Sequence, residues 1–376
     1  MSDKRCTFIM PCRRTVEIFT VACMLMLTIF SGTTLAQVQN YGGVSNGSAV
    51  WTVLVGGEAG ISPQEYGPSG AWQFMRFYPE NITVNVGDKI VWKLKGSEPH
   101  TVTFLAPGEM VPGTIIPENN SSKRLILNPL FALPEGGPNY DGTAPAGSGQ
   151  LDVEPNFPRE YNLTFTKAGT YEYFCGFHSK MKGNVTVQPA GTPYPKTQDQ
   201  IDSEAAKQLS SDMEEALNAV PNGENVSMRP GPNGATIHDI NLGYGNGIVS
   251  WMRFVPTNLT IYAGDTVEWT RNDVEMPHTV TFLSGGDEPD LFLMEPQQKG
   301  PPKFVLNPIV QAHAGGKVYS GKGYFNSGVV WGEMVPLPGP SSYALTFDTP
   351  GIYDYLCVLH DYMGMKGQIK VIPKNK

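Results

Sequence analysis

Polar and apolar residues alternate over several short segments of the chain, a pattern typical of β-strands with one buried face. Residues 82–86 (ITVNV) and residues 259–263 (LTIYA) both alternate, and both stop at a Gly-Asp pair. With a period of two residues, Tyr171, Tyr173 and Cys175 share one strand face. Many short strands separated by Gly and Pro predict an all-β protein built from sandwiches or Greek-key barrels.

The chain also repeats itself once. Four segments of the first half return in the second half in the same order: 75–92 as 252–269, 98–109 as 276–288, 125–137 as 304–316, and 161–187 as 343–371. This unit is far longer than a solenoid repeat, so the sequence predicts a duplicated domain.

A segment rich in Pro and Gly at both ends, residues 190–234, separates the copies. Inside it, Gln198 to Ala219 has helical periodicity, with one apolar face formed by Ile201, Ala205, Leu209, Met213, Ala216 and Leu217. We expect a short helix that packs between or beside the domains; the alternative is a charged spacer helix. The predicted boundaries are 37–189 for the first domain, 190–234 for the linker and 235–376 for the second domain.

The N-terminus has the features of an export signal. A basic start is followed by an apolar run at residues 18–30 and by small residues at 34–36. We therefore expect a signal peptide over residues 1–36 and an exported protein, whether periplasmic, cell-surface or secreted. Membrane association is expected only if this segment is retained as an anchor.

The overall charge excludes one class of partner. The chain has 35 Asp and Glu against 27 Lys and Arg, and basic runs interleaved with aromatic residues are missing from the sequence. Nucleic acid is therefore not an expected partner.

The candidate chemistry centres on two cysteines. Cleavage after residue 36 leaves Cys175 and Cys357, whose near-identical neighbours are unlike those of a disulfide pair. The repeat places equivalent soft ligands around each, as two sets: His100, Cys175, His178 and Met181, and His278, Cys357, His360 and a methionine. Two histidines, a thiolate and a long axial thioether form a blue-copper electron-transfer site, so the sequence predicts two copper ions.

The second axial methionine has two candidates, Met363 and Met365. Aligning backwards from the Lys-Gly pair that follows each loop matches Met181 with Met365. We therefore expect Met365 to be the ligand, with Met363 as the alternative.

These motifs resemble the plastocyanin/azurin-type blue copper proteins, the cupredoxins, over nearly all of the chain that follows residue 36 except the linker. The resemblance implies two tandem Greek-key β-sandwich domains, each with a type 1 copper. The first loop is similar to the amicyanin spacing and the second to that of plastocyanin and pseudoazurin. The resemblance also implies that Thr101 and Thr279 frame the sites. Apolar residues around His178 and His360 predict that the rim around these histidines is the electron port, because a dry, flat contact suits transient docking.

The sequence favours an exported electron-transfer protein that cycles between Cu(I) and Cu(II) with redox partner proteins as donor and acceptor. The alternative is an extracytoplasmic copper storage or delivery protein. A two-domain copper oxidase or nitrite reductase is less favoured, because such enzymes need further copper-binding histidines and only His238 and His313 remain. We therefore expect no enzymatic activity.

Overall fold

The structure of this 376-residue chain is a computed structural model. It describes residues 47–59, 72–119, 121–219, 227–332, 337 and 339–374. The predicted signal peptide, residues 1–36, lies outside the described residues.

The first domain contains twelve of the described strands and one short helix. Its strands are β1 Val50–Ala59, β2 Trp72–Tyr78, β3 Asn81–Asn85, β4 Lys89–Leu94, β5 Thr103–Phe104, β6 Ile115–Glu118, β7 Ser121–Leu127, β8 Asn139–Tyr140, β9 Ala146–Gly147, β10 Glu160–Phe165, β11 Gly169–Phe174 and β12 Lys182–Gln188. The helix α1, Pro129–Ala132, begins at the cap Asn128, whose side chain accepts the N–H of Leu130.

The linker and the second domain follow in the same order. They contain the helix α2 Gln198–Ala219 and the strands β13 Met228–Pro230, β14 Thr236–Gly245, β15 Val249–Val255, β16 Asn258–Tyr262, β17 Thr266–Asp273, β18 Thr281–Phe282, β19 Phe292–Glu295, β20 Lys303–Leu306, β21 Val318–Tyr319, β22 Phe325–Asn326, β23 Ser342–Phe347, β24 Gly351–Leu356 and β25 Lys366–Ile372. This part of the chain also contains a short helix α3, Pro308–Gln311, and two 3₁₀ turns, Pro232–Gly234 and Asp361–Met363.

Each domain is a two-sheet sandwich. In the first domain, the sheet with the order β2-β1-β4-β10-β8 lies over the sheet β3-β12-β11-β5-β9. In the second domain, the order β15-β14-β17-β23-β21 lies over β16-β25-β24-β18-β22. The repeat in the sequence is thus a repeat of topology, and the prediction of an all-β protein with two tandem β-sandwich domains is confirmed.

An aromatic centre holds each sandwich together. In the first domain, Trp92 packs edge-on against Tyr173 with ring centroids 5.5 Å apart. In the second, Trp269 meets Tyr355 at 5.4 Å. All four side chains are buried. Large aromatic rings in this tilted arrangement bury much apolar surface and fix the distance between the two sheets.

The two domains join edge to edge through β2 and β15. Their antiparallel register places Trp72 opposite Trp251 and Gln73 opposite Ser250, so one continuous sheet of 11 strands runs through both domains. Gln73 and Ser250 are equivalent positions of the repeat. Because equivalent residues of the two copies face each other, the domains are related by a local twofold axis. Both domains belong to one compact unit.

The domains also pair through a second pair of strands. These strands lie in the long segment between the strand histidine and the cysteine of each copy. There β6, β7, β20 and β19 form a four-stranded sheet, in which Ile126 lies opposite its equivalent Val305. Arg124 pairs with Glu295 across this sheet. Because Arg124 and Glu295 are both exposed at the surface, the apolar and main-chain contacts contribute more to its stability than this ion pair.

The linker helix α2 is present at the predicted residues. Ile201, Ala205 and Ala216 are buried, whereas Leu217 is exposed, which differs from its predicted place on the apolar face. The helix packs on β1, β2 and β15, and Asp212 accepts a 2.7 Å hydrogen bond from the Tyr78 hydroxyl. It therefore covers the seam between the domains and is not a free spacer.

Among the described residues, none of the helices has the length and apolar character needed to cross a membrane.

Candidate metal centres

Three ligand-type side chains of the first domain meet inside the sandwich. His100 precedes β5 and is fixed by a main-chain bridge to Leu151, while Cys175 and His178 lie in the loop between β11 and β12. The two Nδ1 atoms lie 3.0 Å apart, and Cys175 Sγ lies 3.8 Å from His100 Nδ1 and 3.4 Å from His178 Nδ1. All three side chains are buried, so their donor atoms face one another and not the solvent.

The second domain repeats this arrangement. His278 is bridged to Val330, and Cys357 and His360 lie in the loop between β24 and β25. The Nδ1 atoms are 3.2 Å apart, and Cys357 Sγ lies 3.9 Å from His278 Nδ1 and 3.6 Å from His360 Nδ1. Two equivalent clusters with nearly equal distances show that this geometry belongs to the repeat.

The predicted axial methionines lie in the same loops. The Cys175 N–H donates to the Met181 carbonyl at 2.9 Å, and the Cys357 N–H donates to that of Met365 at 3.1 Å. Both methionine side chains are buried in the core of their own domain together with the cysteine. Met363 is only half-buried and packs against the core of the first domain. The structure thus places Met365, and not Met363, in the position equivalent to Met181.

Two threonines shape the surroundings of the sulfur atoms. The main-chain N–H groups of Thr101 and Thr279 each point at the sulfur of their own domain's cysteine, at 3.3 Å in both sites. The Thr101 hydroxyl also accepts the N–H of Gly176, the residue after the cysteine, at 2.7 Å. Such N–H groups favour a negatively charged sulfur and hold the loop close to the strand histidine.

Electrostatics favours neutral strand histidines. Burial lowers the pKa of His278 to about 3 and holds the pKa of His100 well below its usual value, so both rings have a free lone pair at neutral pH. Burial opposes the thiolate of Cys175, but the facing His178 imidazole and the Thr101 N–H give it a net lowered pKa. In the second site, burial raises the pKa of Cys357 to about 11, so a bound cation would be needed to stabilise this thiolate.

The donor sets fit copper. Metal–nitrogen bonds of about 2.0 Å and metal–sulfur bonds of about 2.3 Å in a common plane place the donor atoms roughly 3.5–3.7 Å apart. The observed separations of 3.0–3.9 Å surround that range. A trigonal set of two imidazole nitrogens and one thiolate is typical of blue-copper sites.

Two glycines beside the strand histidines were not predicted from the sequence. A side chain on Gly56 would place its Cβ 2.4 Å from His100 Nε2, and one on Gly243 would place it 2.7 Å from His278 Nε2. Both glycines have positive φ and occupy the register shifts of β1 and β14. A glycine inside an alternating strand was the available signal, because it marks a bulge or a close approach.

A buried glutamate was also missed. Glu98 is 6% exposed, and its carboxylate lies between the loop histidines of the two domains, with Oε1 3.4 Å from His178 Nε2 and Oε2 3.9 Å from His360 Nε2. Both histidines are themselves buried, and the electron port at the apolar rim around them stays a prediction. The sequence did contain a signal for Glu98, since the two copies differ at this position and the second copy has Met276.

The remaining histidines lie outside both clusters. His238 Nε2 lies 3.1 Å from Asp265 Oδ2. In the first domain, Trp51 occupies the equivalent position and donates its Nε1–H to Asp88. The His313 ring packs at 5.7 Å against Tyr343. Within the described ranges, groups of three or more metal-ligand side chains occur only at the two sites above.

Known copper proteins and solved structures resemble about a third of the chain each. Plastocyanin from Scenedesmus fuscus is 32% identical over 118 residues, which are 31% of this chain and 85% of that protein. Amicyanin from Paracoccus denitrificans is 25% identical over 114 residues, 30% of this chain and 60% of that protein. Among solved structures, a reduced amicyanin variant matches with 23% identity and a TM-score of 0.21, covering 39% of this chain and 87% of its own.

The profile of copper binding proteins of the plastocyanin/azurin family matches residues 68–188 and 243–372. The two matches fall on the two sandwiches, while the exact domain limits at 37–189 and 235–376 stay predictions. Together with the two His–Cys–His clusters, these matches show that the chain belongs to the copper-binding plastocyanin/azurin family, with one family domain in each half.

Proposed function

We propose that this protein is an electron carrier with two type 1 copper centres, one in each domain. The observation that carries the proposal is the convergence of two equivalent, buried His–Cys–His donor sets. His100, Cys175, His178 and Met181 hold one ion, and His278, Cys357, His360 and Met365 hold the other. When bound, copper supplies reversible exchange of a single electron between Cu(I) and Cu(II).

The surrounding residues keep the donor atoms in place. The strand histidines are fixed by main-chain bridges to Leu151 and Val330, and the cysteines by main-chain bonds to the following methionines. A site with its ligands locked by a dense core needs little rearrangement when the charge of the ion changes. This rigidity suits electron transfer better than copper delivery, which needs ligands that exchange readily.

We also propose that the protein is not an oxidase or reductase. Both clusters are closed and buried, which leaves little room for a substrate beside the metal. His238 is engaged by Asp265, and His313 packs against Tyr343. We propose redox proteins as the donor and acceptor, and we propose export because residues 1–36 have the features of an export signal.

The test is to load the purified protein with Cu(II), count the copper ions and record the visible spectrum. We expect two ions per chain and an intense thiolate-to-copper band that disappears on reduction and returns on oxidation. Cys175→Ser and Cys357→Ser should each remove one ion and its share of the band. His313→Gln, at a histidine outside both sites, is the control and should leave both unchanged.

A colourless protein after loading would contradict the proposal. Copper that binds but passes quickly to a chelator, without reversible reduction, would favour the storage or delivery alternative.

A further inference from the structure

The Glu98 carboxylate lies at the junction of the two metal centres. It is buried in the interface between the domains, and each of its oxygens faces the loop histidine of a different site. The main chain at Glu98 is held by strand β2, because the Glu98 N–H donates to the Gln73 side-chain oxygen at 3.2 Å. Glu98 is therefore held in place by the same strand that joins the domains.

The two loop histidines have the same orientation toward this carboxylate. In each ring Nδ1 faces the cysteine sulfur, and Nε2 on the opposite side of the ring faces Glu98. A neutral imidazole that binds metal through Nδ1 carries its proton on Nε2, and metal-bound histidines usually donate this proton to a carboxylate or carbonyl. Here one carboxylate lies in that position for two sites.

The arrangement breaks the twofold relation between the domains. The equivalent of Glu98 is Met276, which is buried and packs in the core of the first domain. Methionine is uncharged and its thioether is only a weak acceptor, so the second domain supplies no counterpart of the Glu98 carboxylate at this position. A single acid thus serves both sites.

The second carboxylate oxygen needs a partner. Among the described residues, Glu98 Oε2 is buried and has no hydrogen-bond partner, and His360 Nε2 lies 3.9 Å away. An unpaired buried carboxylate oxygen is costly, so a donor that moves closer to it lowers the free energy. The His360 Nε2–H is positioned to be that donor.

We propose that Glu98 is a positioning residue shared by both copper sites, and that the series His178–Glu98–His360 is the route along which an electron passes between them. This inference rests on the proposed function. With copper bound at both sites, the electron lost by one site would be the electron gained by the other, so the exchange would need no external co-reactant and no net proton transfer.

The test uses Glu98→Gln in three backgrounds: the otherwise unchanged chain, Cys175→Ser and Cys357→Ser. The Cys175→Ser background retains only the site of the second domain, to which Glu98 contributes from the other domain. There we expect Glu98→Gln to weaken copper binding by about 10–100-fold, the usual effect of removing a group that orients a metal-bound histidine. The same loss is expected in the Cys357→Ser background, measured by competition with a chelator.

A second measurement needs no metal. In the metal-free chain, nitrogen NMR of the imidazoles should show the Nε2 signals of both His178 and His360 shifting on Glu98→Gln. In the two-copper protein, the rate of electron exchange after rapid reduction of one site should fall. Glu275→Gln is the matched control, because Glu275 is also a buried interface acid but bonds Ser179 and not an imidazole.

The outcomes separate this inference from the proposed function. If Glu98→Gln changes only the first site while both sites remain blue, Glu98 is not shared and the inference is overturned. If the unchanged protein binds no blue copper, the proposed function fails, and the metal-free NMR still decides whether Glu98 contacts both rings. Slower exchange in Glu98→Gln but not in Glu275→Gln supports the route.

Discussion

Gly243 lies so close to the His278 ring that any side chain at this position would overlap it. A Cβ on Gly243 would fall 2.7 Å from Nε2 and 3.3 Å from Cε1, and the backbone at Gly243 has a φ of +67°. The bulge in β14 therefore packs against the Nε2 side of the His278 ring, and the bulge at Gly56 packs against His100 in the same way. The orientation of both rings depends on these two glycines.

Gly243→Ala is expected to push His278 away from its position and to weaken copper binding in the second site on the order of 10–100-fold, as for other changes that disturb the orientation of a ligand. The first site should keep its affinity. Copper titration of the variant in the Cys175→Ser background measures the second site, and titration in the Cys357→Ser background measures the first.

Gly264→Ala is the matched control for that change. Gly264 has a φ of +97°, but a Cβ at this position would meet nothing within 4 Å. The substitution should cost about 1–2 kcal/mol of stability through its backbone conformation alone and leave copper binding unchanged. Equal loss of copper affinity in the two variants would show that strain, and not contact with His278, is responsible.

Met365→Leu tests the axial ligand of the second site. Leucine has nearly the same volume, so the buried position should be retained at a cost below about 1.5 kcal/mol. Loss of the thioether should change the visible spectrum and raise or lower the reduction potential of this site alone. Met363→Leu is the control, since that side chain packs against the first domain. A spectrum altered by Met363→Leu only would reverse the assignment.

Trp251→Ala tests the seam between the domains. Trp251 stacks on Trp72 with ring centroids 5.1 Å apart and planes 4° from parallel. Truncation of such a buried ring should cost about 3–5 kcal/mol. Because the contact joins the domains, we expect urea unfolding to separate into two transitions. Tyr262→Ala, at a residue that is 48% exposed, is the control and should keep the unfolding curve of the unchanged protein. A single transition, shifted equally in Trp251→Ala and Tyr262→Ala, would contradict the role of the seam.

Asp273 should make the stability of the metal-free protein depend on pH. Burial raises its pKa to about 6, against the opposing N–H bonds from Glu275 and Met276. Between pH 4 and 6 the folded state thus keeps a proton that the unfolded state has lost, so its contribution to stability falls as the pH rises through this window.

At 1.36 kcal/mol per pKa unit, Asp273 contributes up to about 2–3 kcal/mol less at pH 7 than at pH 4. The free energy of unfolding of Asp273→Asn, subtracted from that of the unchanged chain, should reveal this slope. A difference that is flat from pH 4 to 7 for Asp273→Asn would refute the prediction.

The proposed ligand sets were within reach of the sequence because three members of each depend on short spacings. Cys175, His178 and Met181 share one loop, and a loop this short leaves few ways to arrange three donors. The repeat then identified His100 and His278, and the backward alignment chose Met365, whose buried place in the structure matches that choice. The linker helix was also predictable, because a period of 3.6 residues is a local property.

The tertiary structure alone decided how the two domains meet. The register of β2 against β15, the burial of His178 and His360, and the position of Glu98 between them depend on contacts between residues far apart in the chain. Local patterns encode which face of a strand is buried, but not what covers it. The sequence by itself determined two copper-type donor sets on a duplicated all-β chain; the packing of one domain against the other placed a single carboxylate between them.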